Sequence, residues 1–251
     1  MNDHHTLQWL GRAFRPKHLY RYVRWHWVRQ SIANRTITLS DPLRCWPDPT
    51  EWLWTNWINK HVTPTVLAVC WTRTCRSEAL WRLDRPMEGV IETDRTVVRI
   101  RTSFDRLNRA IAASSDLRDR LPGKSFLVPV EYLPDHKVER RFDKLTETKF
   151  VSREAALALS YKRYPYRYER EVRWVHVTKA EADASGYTAV QLDINTLVDQ
   201  IMIDPRAEAA EAKRIAKAAA EEGFRNEVLH SRLFRLPERL RPHATRPEER
   251  K

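Results

Sequence analysis

The chain has 251 residues, of which 42% are hydrophobic and 31% are charged, so it is long enough to bury a core. Its 45 Lys and Arg residues exceed its 33 acidic residues, and the formal net charge of +12 favours polyanionic partners such as nucleic acid. The sequence contains no apolar run of about 18 residues and no N-terminal signal-like apolar segment, which excludes a transmembrane helix. We therefore expect a cytoplasmic protein that does not bind membranes.

The cysteines and glycines exclude several kinds of site. Cys45, Cys70 and Cys75 form an odd and small set, which is typical of a reducing compartment rather than a disulfide framework. No CxxC or HxxxH pair is present, so no metal site is expected. The five glycines are far apart, so neither a GxGxxG loop nor a Walker loop can be written. A nucleotide would have to bind in another way.

The first predicted element is a strand at Leu19–Tyr22 that runs into a helix, after an N-terminal extension at residues 1–14. Aromatic and basic residues alternate densely here. Basic side chains pair with phosphates and aromatic rings stack on bases, so we predict nucleic-acid contacts for Arg24, Trp25 and Arg29. In the alternative interpretation, the tryptophans belong to the core and the arginines extend beside them.

The next segment predicts a capped helix followed by a buried strand. Asp48 is suited to the N-cap position, with Pro49 in the first turn and Glu51 at the third position, so we assign capping roles to Asp48 and Glu51. The run Val66–Trp71 is apolar throughout, which is typical of a central strand.

The remaining elements follow from the same patterns. Further strands are predicted at Ile37–Leu39, Gly89–Glu92, Thr96–Arg101, Phe126–Tyr132, Tyr187–Leu192 and Val198–Ile203, and helices after Ser77, Thr102, Ser152 and Asp204. The highly charged stretch Pro134–Thr148 is interpreted as a mobile loop. The sum is a single α+β domain over residues 15–235, with a mixed or antiparallel sheet of six to eight strands and inserted helices. Residues 236–251 are expected to form a charged flexible tail.

The stretch Tyr164–His176 combines alternation with a dense charge pattern. As a strand it would place Glu169, Glu171 and Arg173 on one face, where the guanidinium can pair with a carboxylate. This arrangement is either a chemical site or a solvated face whose charges neutralise each other.

Several short motifs occur in an order that resembles a known family. They are Leu19-Tyr20-Arg21-Tyr22, Trp46-Pro47-Asp48-Pro49-Thr50-Glu51, Cys70-Trp71, Ala79-Leu80-Trp81, Gly89-Val90, Tyr168-Glu169-Arg170-Glu171-Val172-Arg173 and Ile201-Met202-Ile203-Asp204-Pro205. Over roughly residues 18–234 the chain resembles the uncharacterised prokaryotic family called domain of unknown function 2971. It departs from that family at Pro47 and Thr50, where the family has Asn and Phe, and after Trp81, where the family's Tyr or His is replaced by Arg82-Leu83.

This family is in turn similar at the level of fold to ADP-ribosyltransferases, which carry an early strand with His or Arg, a middle aromatic or Ser element and a late Glu-x-Glu. The resemblance implies NAD as the substrate and Glu171 and Glu169 as catalytic residues. It implies cofactor-binding roles for Tyr20, Arg21, Tyr22, Trp81 and Arg173.

Chemistry supports these roles. Breaking the bond between nicotinamide and ribose gives the sugar oxocarbenium character, which a carboxylate that accepts from the 2′-hydroxyl would stabilise. Glu171 is our candidate for that carboxylate, and Glu169 for the general base that activates the nucleophile. Arg21 is suited to the pyrophosphate, and Trp81 or Tyr22 to stacking on nicotinamide. We expect Arg173 to orient Glu171.

The predicted function is therefore an ADP-ribosyltransferase-like enzyme that uses NAD to modify DNA or RNA, in a toxin or phage-defence setting, with a regulatory partner protein as a further expectation. One alternative is a non-catalytic nucleic-acid-binding module that uses the Arg- and Trp-rich N-terminal region. A second alternative is a metal-dependent nuclease with Asp48, Glu51, Glu169 and Glu171 around Mg²⁺.

Overall fold

The computed structural model describes residues 6–12, 15–61, 65–82, 96–146 and 152–235. The strands are β1 (Leu7–Trp9), β2 (Leu19–Arg24), β3 (Thr36–Ser40), β4 (Thr65–Thr72), β5 (Val97–Thr102), β6 (Gly123–Pro129), β7 (Glu131–Leu133), β8 (Tyr161–Arg163), β9 (Glu171–Thr178), β10 (Tyr187–Gln191), β11 (Gln200–Ile203) and β12 (Glu227–His230). The helices are α1 (Trp25–Asn34), α2 (Pro42–Cys45), α3 (Pro49–His61), α4 (Glu78–Arg82), α5 (Phe104–Ala113), α6 (Ser115–Asp119), α7 (Asp135–Thr146), α8 (Ser152–Ala158), α9 (Ile194–Leu197) and α10 (Ala209–Glu221), with a 3-10 helix at Tyr164–Glu169.

The described strands form one large mixed sheet, which confirms the predicted α+β class. Ten strands belong to it, in the order β1-β6-β9-β4-β2-β5-β11-β12, with β3 paired to β4 and β10 paired to β3. The β1–β6 and β11–β12 pairs are parallel and the other pairs are antiparallel. The sheet is larger than the predicted six to eight strands because short strands such as β1 and β12 join its edges. Strands β7 and β8 form a separate parallel pair.

The centre of the sheet is the long pairing of β4 with β9. Their register runs from Thr65 opposite Thr178 to Thr72 opposite Glu171, and every residue of β9 is buried. This confirms the prediction that the apolar run in β4 is a central strand, since both of its faces are covered.

The two faces of this pair contribute to different cores. Leu67, Trp71 and Trp174 pack in one hydrophobic cluster, whereas Val66 and Val175 pack in another. Because side chains of a strand alternate between faces, Glu171 and Arg173 lie on the face of the second cluster.

The sheet splits beside β4. Strand β3 reaches β4 only at Ser40 opposite Ala68, and β2 reaches it only at Tyr20 opposite Thr72. Between these two bridges β2 and β3 diverge, so Cys70 lies next to an opening in the sheet.

The charged stretch predicted as a mobile loop is a helix, α7. Val138 and Phe142, four residues apart, pack on the second cluster, and Phe142 lies 5.5 Å from the ring centroid of Trp54. The loop prediction was wrong because these two apolar positions are enough for an amphipathic helix although charges fill the remaining positions.

Other predicted boundaries also changed. The last long helix begins at Ala209 rather than at Asp204, and Gly223, with φ 92°, follows its end as predicted. Residues 7–9, assigned to an N-terminal extension, form β1 and pair with β6. The strand predicted at Gly89–Glu92 and the tail at 236–251 lie outside the described residues. Among the described helices, none is long and apolar enough to cross a membrane.

The end of α1 provides a test of backbone strain. Arg35 has φ 52° in the left-handed region, where an L-residue is disfavoured and glycine is the usual helix end. We expect Arg35→Gly to raise the free energy of unfolding by about 0.5–1 kcal/mol. Ala33→Gly, inside the same helix, should lower it by about 1 kcal/mol. Urea unfolding measures both changes. A loss of stability in Arg35→Gly would contradict the claim that the left-handed backbone conformation of Arg35 is strained.

Candidate functional site

A cavity of about 280 Å³ opens where the sheet splits. Its walls are formed by Tyr20, Arg21 and Tyr22 of β2, Cys70, Trp71 and Thr72 of β4, Leu80 of α4, and Glu169 and Glu171. The structure therefore brings both predicted catalytic carboxylates together with three of the residues predicted to bind the cofactor.

The two carboxylates reach the cavity from different elements. Residues Tyr164–Glu169 form a 3-10 helix, Arg170 follows in the left-handed region with φ 48°, and β9 begins at Glu171. The strand predicted from 164 to 170 was wrong, because Pro165 has the fixed φ of a helical turn and stands near the start of this segment. Glu169 and Glu171 still face the same cavity because Arg170 turns the chain between them.

Two cations hold the carboxylates. Lys162 Nζ donates to Glu169 Oε2 at 2.7 Å and to Glu171 Oε1 at 2.6 Å. Arg173 Nε donates to Glu171 Oε2 at 2.7 Å, and the other side of its guanidinium contacts Glu51. We call these five residues the charge cluster. It contains three carboxylates and two cations.

The members of the charge cluster do not titrate alike. Burial and the neighbouring Glu171 raise the pKa of Glu169 from 4.5 to about 8. Burial also acts to raise the pKa of Glu171, but Arg173, the hydrogen bond with Glu169 and Lys162 outweigh it and hold the pKa well below its usual range. Glu169 is therefore protonated at neutral pH and Glu171 is ionised. Burial raises the pKa of Glu51, although Arg173 and Lys162 act to lower it. With Glu169 neutral, Glu171 and Glu51 are the carboxylates that remain to pair with the two cations.

Arg173 lies beneath the cavity rather than in its wall. It is 1% exposed, donates to the carbonyl of Leu159 at 2.7 Å and stacks 4.3 Å from the ring centroid of Trp46. These contacts suit a residue that orients Glu171. They do not present the guanidinium to a ligand, as the predicted cofactor contact would require.

Arg21 is in the opposite situation. Its half-buried guanidinium lines the cavity, and burial lowers its pKa. In the part of the chain that the structure describes, no carboxylate forms an ion pair with Arg21. A desolvated cation without a counter-charge is unfavourable on its own and attracts an anion.

Tyr22, and not Trp81, offers an aromatic ring to the cavity. Trp81 is 2% exposed and meets Tyr22 edge-on, with ring centroids 4.8 Å apart. Trp81 therefore packs against the Tyr22 ring and holds it in place. The neighbouring Tyr20 ring is contacted by the Arg99 guanidinium, which lies 4.8 Å from its centroid.

The residues predicted to contact nucleic acid do not form one surface. Trp25 is 0% exposed because α1 packs its Trp25 side on the first hydrophobic cluster, and Arg24, the last residue of β2, is 4% exposed. Arg29 is exposed and pairs with Glu222 at 2.9 Å. Trp25 therefore belongs to the core, as in the alternative interpretation of this segment.

Comparisons with known proteins give a limited picture. No family model and no curated protein matches the chain, so the resemblance to domain of unknown function 2971 stays a prediction. Among solved structures, the chain is similar to DarT of Thermus sp. 2.9 in complex with NAD+, with a TM-score of 0.39 and 8% identity over 86% of this chain and 96% of that chain.

The same Thermus protein in complex with ADP-ribosylated ssDNA gives a TM-score of 0.40 and 10% identity, over 86% of this chain and 94% of that chain. Its complex with carba-NAD+ gives a TM-score of 0.40 and 9% identity, over 87% of this chain and 97% of that chain. TM-scores this low lend no weight to a functional assignment, which has to come from the residues of the cavity.

Two residues of the site, Lys162 and Tyr132, were not predicted from the sequence; the Tyr132 hydroxyl accepts from the backbone N–H of Glu171 at 2.7 Å. Glu51 was predicted as a capping residue and, in the nuclease alternative, as a ligand of Mg²⁺. Asp48 does accept from the N–H of Thr50 at 3.0 Å, but Glu51 faces Arg173 in the interior. No local pattern marks these residues, because their partners come from distant segments.

The unusual proton on Glu169 predicts a pH dependence of stability. The folded protein holds this proton more strongly than the unfolded chain, so the stabilisation is complete below about pH 4.5 and is lost as the pH rises through about 8. Glu169→Gln resembles the protonated form at every pH. We expect its free energy of unfolding, relative to the wild type, to increase by about 1 kcal/mol or more between about pH 5 and pH 9.

Glu211→Gln serves as a control whose stability relative to the wild type should not respond to pH in this range. The hydrogen bond with Arg214 lowers the pKa of Glu211, so that carboxylate stabilises the fold above its ordinary pKa. That stabilisation is already present at pH 5, so the stability of this variant relative to the wild type should stay nearly constant between about pH 5 and pH 9. Urea unfolding at both pH values decides, and parallel behaviour of the two variants would refute the assigned proton.

Proposed function

We propose that the protein cleaves NAD and transfers its ADP-ribose to nucleic acid. The observation that carries this proposal is the meeting, in one cavity, of an ionised carboxylate, a protonated carboxylate and a guanidinium that has no ion pair among the described residues. Each of the three has a separate task in the cleavage of the bond between nicotinamide and ribose.

Glu171 would stabilise the sugar. As that bond breaks, positive charge develops on the ribose, and a carboxylate that accepts from the 2′-hydroxyl is worth more in the transition state than in the ground state. Lys162 and Arg173 hold Glu171 from two sides, so the carboxylate is oriented before the ligand arrives.

Glu169 would serve as the general base. The acceptor group attacks C1′ of the ribose, the bond to nicotinamide breaks and nicotinamide leaves with the bonding electron pair. The proton of the acceptor passes to the ionised form of Glu169. A pKa of about 8 keeps this base close to working pH.

Arg21 and Tyr22 would bind the rest of NAD. The pyrophosphate supplies the negative charge that Arg21 lacks among the described residues, and a guanidinium pairs with phosphate oxygens through two hydrogen bonds. Tyr22 lines the same cavity and can stack on an aromatic ring of the ligand.

The acceptor is proposed to be DNA or RNA because of the net charge of +12. The 3-10 helix next to Glu169 offers contacts that α1 does not. Tyr164 and Tyr168 are exposed there, and the Arg167 guanidinium lies 4.4 Å from the ring centroid of Tyr164. Exposed tyrosines and arginines can stack on bases and pair with phosphates.

The charge cluster argues against the metal-dependent nuclease. Lys162 and Arg173 occupy the space among Glu51, Glu169 and Glu171 that a divalent cation would need. The alternative of a non-catalytic nucleic-acid-binding module relied on Trp25 and Arg24 as binding residues. Both side chains are buried, so neither can contact nucleic acid in this structure.

Substitution of Arg21 should separate stability from binding. Arg21→Met removes a desolvated charge that has no ion pair in the described part of the chain, so we expect the free energy of unfolding without ligand to rise by about 1 kcal/mol. The same change should weaken NAD binding by roughly 10- to 100-fold, because charge-assisted hydrogen bonds are lost. Thermal unfolding with and without NAD measures both effects. Arg29→Met, at an exposed ion pair, should change neither by much, and a destabilised Arg21→Met protein that still binds NAD would contradict the assignment.

Substitution of Glu171 tests the reaction itself. Purified protein is incubated with labelled NAD and single-stranded DNA, RNA or protein, and nicotinamide release and label transfer are followed. Glu171→Gln should lower the rate by about 10²- to 10³-fold with its fold retained by circular dichroism. Glu211→Gln, on the surface of α10, is the matched control and should retain the wild-type rate. No NAD consumption by the wild type with any acceptor would end the proposal.

A further inference from the structure

Lys162 connects the two carboxylates of the cavity. It belongs to β8, outside the large sheet, and is 8% exposed. Its Nζ lies within hydrogen-bond distance of both Glu169 and Glu171, and 4.7 Å from the ring centroid of Tyr166. A lysine head group can make these contacts at once because it carries three donors on a compact charge.

The cations are distributed unequally over the two carboxylates. Glu171 pairs with both Lys162 and Arg173, whereas within the described ranges Glu169 pairs with Lys162 alone. The carboxylate with two cations loses its proton first, so the remaining proton stays on Glu169. Among the described cations, Lys162 alone pairs with Glu169, so it is the cation that stabilises the ionised form of Glu169.

We propose that Lys162 is a positioning residue that holds Glu169 and Glu171 together at the cavity and determines how readily Glu169 gives up its proton. In the proposed function this proton controls the general base, so Lys162 would set the pH at which transfer begins. That consequence rests on the proposed function, whereas the placement of the proton does not.

The other titratable groups around the pair do not replace Lys162. They are Glu51 of α3, Arg173 of β9, Tyr132 of β7, Tyr166 and Tyr168 of the 3-10 helix, Cys70 of β4 and Arg21 of β2. Arg173 faces Glu171 and Glu51, and Arg21 lies across the cavity. Burial raises the pKa values of the Tyr132 and Cys70 side chains. Of these groups, none is a cation in contact with both carboxylates.

The test follows the protons directly and without NAD. Protein labelled with ¹³C at the glutamate carboxyl groups is titrated by NMR, with Glu169→Gln and Glu171→Gln used to assign the two signals. In the wild type we expect the Glu169 signal to titrate near pH 8. Lys162→Met should move that midpoint upward by about one to two pH units, because a charge-assisted hydrogen bond to the ionised form is lost.

Three variants separate charge from packing. Lys162→Arg restores the cation and should return the midpoint towards the wild-type value. Lys162→Gln keeps N–H donors without charge, and it replaces Lys162→Met, with the same expected displacement, if the latter does not fold. Lys217→Met, at an exposed pair with Glu221 on α10, should leave the titration unchanged. An unmoved Glu169 midpoint in a folded Lys162→Met protein, or equal displacement in Lys162→Arg, would overturn the role.

The same variants distinguish this inference from the proposed function. Their rates of nicotinamide release are measured against pH, and the rising limb should move with the NMR midpoint. A displaced midpoint in a protein that consumes no NAD would refute the enzyme and leave Lys162 in its role. If nicotinamide release depends on Glu171 but the Glu169 titration midpoint does not move in the Lys162 variants, the role of Lys162 is refuted and the proposed enzymatic activity stands.

Discussion

The pairing of carboxylates with cations within the buried cluster is the constraint on which the rest of the site depends. Each ion removed from water costs several kcal/mol, and only mutual pairing offsets that cost. The cluster takes Glu51 from α3, Lys162 from β8, Glu169 from the 3-10 helix, and Glu171 and Arg173 from β9. Removal of Glu51, Lys162, Glu171 or Arg173 leaves a buried charge without its partner, and Glu169 joins the cluster through its hydrogen bond with Lys162, so these four elements are tied to one another. The orientation of Glu171 is therefore a consequence of its contacts with Lys162, Arg173 and Glu169.

The two sides of the cavity differ in how their charged side chains are compensated. On one side every charge is paired and Glu171 is held in one geometry. On the other side Arg21 is partly desolvated and lacks an ion pair among the described residues, so the protein tolerates an unfavourable interaction there. Such interactions are typical of binding sites, where a ligand supplies the missing partner. This contrast is the basis on which the proposal assigns orientation of Glu171 to Lys162 and Arg173, and ligand binding to Arg21.

Sequence patterns predicted the parts of the molecule whose cause is local. The apolar run of β4 and the alternation of β9 after Glu171 correctly indicate buried strands, since strand periodicity depends on neighbours along the chain. Glu171 and Arg173 could be paired from their spacing of two. The 3-10 helix before them could not be recognised, because the alternating residues from Tyr164 to Arg170 imitate a strand. Lys162 could not be assigned either, since its partners become neighbours only after the chain has folded.

The split in the sheet makes the cavity unequal in stiffness. Glu171 lies at the end of an eight-residue ladder between β4 and β9, whereas β2, which carries Arg21 and Tyr22, is joined to β4 at one bridge. Displacement of β2 relative to β4 disturbs a single bridge, while displacement of β9 disturbs the whole ladder. A change in the width of the cavity is therefore less costly on the side of Arg21 and Tyr22 than on the side of Glu171, which is fixed by the ladder.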